Sequence, residues 1–149
     1  MESAIKKKIE YYCAYQERCH ADVLKKLNKL GIYGEDIDKY ICHLIDENFL
    51  SETRFSELYV RGKFNNNNWG KIKIKRELKS KNISEWNIEN ALNQISESEY
   101  IEKLRKLCVK FSEVDTNNKF DAKNKIIRSL SYKGWETELI INTLNQLIK

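Results

Sequence analysis

The chain has 149 residues, one domain's worth, with 33% charged residues and a formal net charge of +5. It contains no proline and only five glycines, so almost nothing stops it from being helical throughout. No stretch approaches the roughly 18 apolar residues of a membrane span, and the opening MESAIKKKIEYYCAYQ has no apolar run long enough for a signal peptide. The expectation is a cytoplasmic protein whose four cysteines, Cys13, Cys19, Cys42 and Cys108, are reduced thiols.

In chain order, apolar periodicity and turn residues predict helices over 3–17, 20–30 and 35–47, then 53–64, 70–81 and 85–96, then 98–113, 121–133 and 137–148. Ser84 is the expected N-cap of the sixth helix and Asp121 that of the eighth. Asn65–Asn68 reads as a mobile polar loop, with a comparable link over Glu113–Lys119. Links between the second and third helices of each group are about four residues long.

The grouping in threes comes from an internal repeat. KLNKLGIYGEDIDKYICHL (26–44), ELKSKNISEWNIENALNQI (77–95) and SLSYKGWETELIINTLNQL (129–147) align at offsets of 51 and 52 residues. Val23, Ile74 and Ile126 coincide, as do Leu27, Leu78 and Leu130. Gly31, Asn82 and Gly134 follow, and then Ile37, Ile88 and Ile140. An apolar residue, Leu four later, then Gly or Asn describes a helix ending in a left-handed cap. The alternating stretch Lys71-Ile72-Lys73-Ile74-Lys75, which by itself resembles a strand, is therefore expected to be helical, with Ile72 off the apolar stripe. Such repeats stack. The expected fold is all-α, three tandem three-helix repeats (1–50, 51–97, 98–149) in an elongated, curved array.

Charge is segregated. Residues 61–81 carry eight Lys/Arg and one Glu, while 31–60 carry seven acids against two bases, and 82–102 five acids and no base. A basic block between acidic ones suits a polyanion or an acidic protein surface, although a solvated helix face is an equal reading. Arg61, Lys63, Lys71, Lys75, Arg76 and Lys79 are the candidate contact residues. Trp69 and Phe64 lie beside them in sequence as possible base-stacking rings or core anchors. Lys73 and Lys75 cannot both share a face with Arg76 and Lys79. Phe55, Leu78 and Ile88 are expected in the core.

Catalytic chemistry has little support. The two histidines, His20 and His43, each follow a cysteine, but no C-x-x-C pair exists, and neighbouring helical residues diverge by about 100°. No phosphate-binding loop, nucleophile elbow or H-E-x-x-H motif is present.

The run ENFLSETRFSELYVRGKFNNNNWGKIKIKRELKSKNIS resembles the signature of the RecX family, bacterial regulators of the RecA recombinase. Arg54-Phe55, Val60-Arg61, Gly70, Ile74, Glu77-Leu78, Lys81 and Ile83 carry the likeness, and YYCAYQERCHADVLKKLNKLGI resembles the family's first repeat. Departures are mild: Ser51-Glu52 stands for an acidic pair, Ser56 for Ala and Asn82 for Gly, with Cys19 for Ser and Asp22-Val23 for Glu-Leu in the first repeat. The resemblance implies a non-enzymatic, monomeric modulator without cofactor or metal. Such a protein lies along the RecA filament on single-stranded DNA and mostly inhibits its ATPase, strand-exchange and co-protease activities, restraining recombination and the SOS response. The residues themselves leave two other readings open. One is a helical-repeat protein competing for single-stranded DNA, and the other is a general interaction adaptor.

Overall fold

A computed structural model describes residues 1–113 and 119–147. The described residues form helices α1 (Ser3–Tyr15), α2 (His20–Lys29), α3 (Glu35–Asp46), α4 (Glu52–Asn67), α5 (Lys71–Ser80), α6 (Glu85–Leu92), α7 (Glu97–Ser112), α8 (Lys119–Tyr132) and α9 (Thr137–Leu147). They fall into three-helix units built on the expected repeat.

The repeat has a shared local cause. Gly31, Asn82 and Gly134 all adopt positive φ, at 87°, 61° and 96°. In each unit the next residue's N–H reaches back to the leucine five positions earlier: Ile32 to Leu27 O, Ile83 to Leu78 O and Trp135 to Leu130 O, at 2.9, 3.2 and 3.0 Å. This is the Schellman ending, which satisfies carbonyls a helix terminus otherwise leaves bare. It turns the chain so that the apolar residue after the cap folds under its own helix. Leu27, Leu78 and Leu130 are wholly buried, and Val23, Ile74, Ile126, Ile88 and Ile140 are buried with them. The register fails at one place: Leu147, the counterpart of Leu44 and Ile95, is 41% exposed.

Helix starts are also chemically specified. Ser51, Ser84 and Ser96 each accept a hydrogen bond from the backbone N–H three residues on. Cys19 starts α2, and the Asp22 carboxylate accepts from the Cys19 N–H at 3.2 Å. Ser84 is the cap the sequence indicates. Asp121 is not: α8 begins at Lys119, which leaves Asp121 inside the first turn, where an acid complements the positive end of the helix dipole.

The expected loop over 65–68 is helix for most of its length. α4 continues to Asn67 and ends on Asn68 in the left-handed region, φ 60°. Asparagine tolerates that conformation better than most residues. The Asn65, Asn67 and Asn68 carbonyls accept from Lys103 Nζ, Lys133 Nζ and Trp135 Nε1, all in the third unit. These bonds pin the segment. Of the link expected over Glu113–Lys119, residues 114–118 lie outside those described.

The core has two bodies. Ile9, Cys13, Val23, Leu27, Ile37, Tyr40, Leu44 and Leu50 form the first unit's core. The second and third units share one continuous core, from Phe55 through Ile74 and Tyr100 to Leu144, and Cys19 of the first unit is buried in it. Phe55, Leu78 and Ile88 are within it, as expected. Burial pushes the Cys13 and Cys108 thiols up to about 11, so both stay protonated at neutral pH.

Candidate functional site

The basic helix α5 is wedged where the second and third units meet. A Cβ on Gly70 would lie 2.4 Å from Gly134 O, and one on Gly134 would lie 2.3 Å from Lys73 Cβ. The backbones touch because neither residue has a side chain. Gly70 N–H donates to Lys133 O at 2.9 Å and Ile72 N–H to Gly134 O at 3.0 Å. The open amides at the start of α5 thus meet the open carbonyls at the end of α8, positive dipole end to negative. Lys71 N–H donates to Tyr100 Oη at 3.0 Å, and that hydroxyl donates to Glu136 Oε1. Tyr100 stacks on Trp135 with centroids 4.4 Å apart, and Phe64 lies against both. Phe64 is 2% exposed, so it anchors the core and has no face for a partner.

The six candidate cations do not form one patch. Arg61 donates to Glu99 Oε2 at 2.6 Å and Gln94 O at 3.1 Å, bracing α4 against the start of α7. Lys71 Nζ sits 4.7 Å from the centroid of Tyr100. Lys75 is compensated by Glu89 at 3.1 Å and Glu85 at 4.0 Å. Arg76 and Lys79 are exposed and have no ion-pair partner among the described residues. With Ile72, which is 51% exposed, they make the outward stripe of α5 at i, i+4 and i+7.

Lys63 belongs to a separate cluster. Its Nζ lies 4.8 Å from the Trp69 ring centroid and 5.4 Å from that of Tyr59. Lys73 sits over Trp69 at 4.5 Å and over Tyr132 of the third unit at 4.9 Å. Trp69 is half-buried, packing one part on the core and offering another to these ammonium groups. A ring holds an ammonium without cancelling its charge, so Lys63 and Lys73 remain positive toward solvent. Tyr132 is 78% exposed. It enters the site only through the fold, since 59 residues separate it from Lys73 in sequence.

A second joint connects the first unit to the rest. Arg54 Nε donates to Glu17 Oε1 at 2.9 Å, while Nη1 and Nη2 donate to Asn48 Oδ1 and Asn48 O at 2.7 and 2.9 Å. Glu52 accepts from the His20 N–H at 3.1 Å. His43 Nε2 lies 2.8 Å from Glu10 Oε2, tying α3 to α1. Each histidine thus has a carboxylate partner of its own. Among the described residues no three or more His, Cys, Asp or Glu converge as a metal site. No helix among them is long and apolar enough to cross a membrane.

The family model for the RecX second three-helix domain matches residues 51–92, which include α4, α5 and α6. Regulatory protein RecX of Lactobacillus johnsonii is 28% identical over 137 residues, covering 91% of this chain and 51% of that protein. The Streptococcus agalactiae protein of the same name is 26% identical over 141 residues, covering 92% and 53%. The chain thus spans about half the length of these curated relatives. The crystal structure of RecX from Lactobacillus salivarius superposes with a TM-score of 0.84 at 29% identity, covering 95% of this chain and 93% of that one. In sequence and in fold over nearly all of its length, this chain is a homologue of the RecX family of regulatory proteins.

Proposed function

We propose that this protein is a cytoplasmic, non-enzymatic regulator that binds a RecA-type recombinase filament on single-stranded DNA and restrains its ATPase, strand-exchange and co-protease activities. The observation that carries this reading is the likeness to RecX proteins in all three units at once, in sequence and in fold. The geometry supplies a physical route. The glycine joint and the Arg54 joint hold three units, taken as 1–50, 51–97 and 98–149, in fixed relation. A rigid body of this kind can span successive protomers of a helical filament. It shifts the filament toward whichever state it binds more tightly, or it blocks growth at an end.

Contact with acidic filament surface or exposed phosphate falls to the outward cations. Arg76 and Lys79 are uncompensated and exposed, Lys63 and Lys71 are half-buried and held over aromatic rings without losing their charge, and Lys75 and Arg61 contribute a positive background from ion-paired positions. The Lys63–Trp69–Lys73–Tyr132 cluster favours a second reading, competition for single strands, because it combines positive charge with the exposed ring of Tyr132 and the half-buried ring of Trp69.

The deciding measurement is the DNA-dependent ATPase of RecA, titrated with this protein at a large excess of single-stranded DNA. Inhibition well below one protein per RecA is the expected result, since excess DNA removes competition. Inhibition seen only when DNA is limiting would replace the filament reading with the competition reading. No effect under either condition would leave a general adaptor.

A further inference from the structure

We propose that the cleft between α1 and α2 is a binding site for a single nucleic-acid strand, separate from the basic face of α5. The cleft has a volume of about 470 Å³ and is bounded by Lys7, Lys8 and the rings of Tyr11, Tyr12 and Tyr15 on α1. Arg18 and Lys26 close its other side, and no carboxylate among the described residues lines it.

Helix α1 has two stripes where a surface helix needs one. Ile9 and Cys13, with Ile5 and part of Tyr12, face the core. Lys7, Tyr11 and Tyr15, at i, i+4 and i+8, form another stripe that faces solvent. Tyr11 and Tyr15 are 70% and 71% exposed, with ring centroids 6.3 Å apart. Neither ring has a role in the core.

The cleft's floor is fixed in advance. Arg18 Cζ sits 3.7 Å from the Tyr12 centroid, and Arg18 Nε donates to Tyr12 O at 3.0 Å. Lys26 Nζ lies 5.6 Å from the same ring. Tyr12 thereby holds two cations at the rim without neutralising them.

Four cations bordering two open phenol faces match the chemistry of an unpaired strand, with phosphates on the Lys and Arg side chains and bases on the rings. An acidic peptide would satisfy the charges but leave the tyrosine faces unused. A duplex hides its base faces and would use only the charges. This reading does not depend on the identity of the filament partner, because the cleft lies on the first unit and the α5 stripe on the second.

The test is fluorescence anisotropy of the whole chain with a labelled oligothymidine of about 15 nucleotides, within the range single-strand sites cover. Tyr11→Ala with Tyr15→Ala is expected to weaken binding by about tenfold or more, the size of loss that stacking implies. Tyr11→Phe with Tyr15→Phe keeps the rings and is expected to retain binding. Both tyrosines are exposed, so helicity by circular dichroism is expected to be unchanged in either variant. Lys7→Ala with Lys8→Ala is expected to flatten the dependence of affinity on salt. The proposal is overturned if the oligothymidine does not bind, if the alanine pair leaves its affinity intact, or if an abasic strand of equal length binds as tightly. A poly-glutamate peptide that binds as tightly, with the same loss in the alanine pair, would overturn it in favour of an acidic protein segment.

Discussion

Gly70 and Gly134 lie at the joint of the second and third units, where Gly134 fills the space a side chain on Gly70 would need and Lys73 fills the space a side chain on Gly134 would need. Alanine at Gly134 has two costs, the positive φ of 96° and the collision with Lys73. Gly31 is its repeat counterpart with φ 87°, but a Cβ there meets nothing within 4 Å. Gly31→Ala should therefore cost about 1 kcal/mol, the conformational part alone. Gly134→Ala should cost two to four times that, about 2–4 kcal/mol, because backbone at the joint must move. Thermal unfolding of the two variants side by side checks this, and equal losses would mean that the joint yields without strain.

Tyr100 makes a second test of the same joint. Its hydroxyl accepts from Lys71 N–H and donates to Glu136, while its ring stacks on Trp135. Tyr100→Phe keeps the stack and strands both polar groups, at a cost of about 1–3 kcal/mol near neutral pH.

Burial, with the Glu136 hydrogen bond second, raises the ionisation of Tyr100 far above its ordinary range. Burial pushes Tyr59 up to about 12, with a smaller contribution from Glu77. In the unfolded chain these phenols ionise near pH 10. Above that, the unfolded state releases protons that the folded state keeps, so stability falls as pH rises. The buried thiols of Cys13 and Cys108, held up to about 11, act in the same direction from about pH 9 upward. Urea unfolding at pH 8 and pH 10.5 should show this loss. The gap between wild type and Tyr100→Phe should narrow at the higher pH, because phenylalanine has no proton to hold.

Much of the fold was legible because each unit repeats one local instruction. Val23, Leu27 and Gly31 specify a helix and its ending, and Ile74, Leu78 and Asn82 specify it again, which overrode the misleading alternation at Lys71–Lys75. Helix ends set by distant contacts were not legible. The asparagines at 65–68 read as a loop, yet their carbonyls are held by Lys103, Lys133 and Trp135 of the third unit. The site was legible only as a charge block. Which cations are free depends on where Glu85, Glu89, Glu99 and Tyr132 arrive in space, and no local pattern encodes that.

Arg54 clamps the first unit to the second through Glu17 and Asn48. Beyond the Glu52–His20 bond and Cys19, which is buried in the core of the other units, the first unit relies on its own small core. Arg54→Ala should therefore loosen α1–α3 selectively. The expected result is faster amide exchange in 3–46, with little change in α7 and α9, and a global loss of about 1–2 kcal/mol given partial exposure of the pair. Arg54→Lys should recover little, since an ammonium cannot supply the three directed bonds of the guanidinium.

The α5 face can be tested without disturbing any joint. Lys75 is a poor choice for charge reversal, because a glutamate there would face Glu85 and Glu89 and confound binding with repulsion inside the fold. Arg76 and Lys79 have no such neighbours among the described ion pairs and are exposed. Arg76→Glu with Lys79→Glu should leave the unfolding temperature within about 2 °C, as expected of surface changes. It should weaken association with a RecA filament by about tenfold at low salt, and the difference should shrink as salt screens the contact. Surface plasmon resonance on immobilised filaments at two salt concentrations measures both effects. Unchanged affinity at low salt would remove the outward stripe of α5 from the interface and turn attention to the Lys63–Trp69–Lys73 cluster beside it.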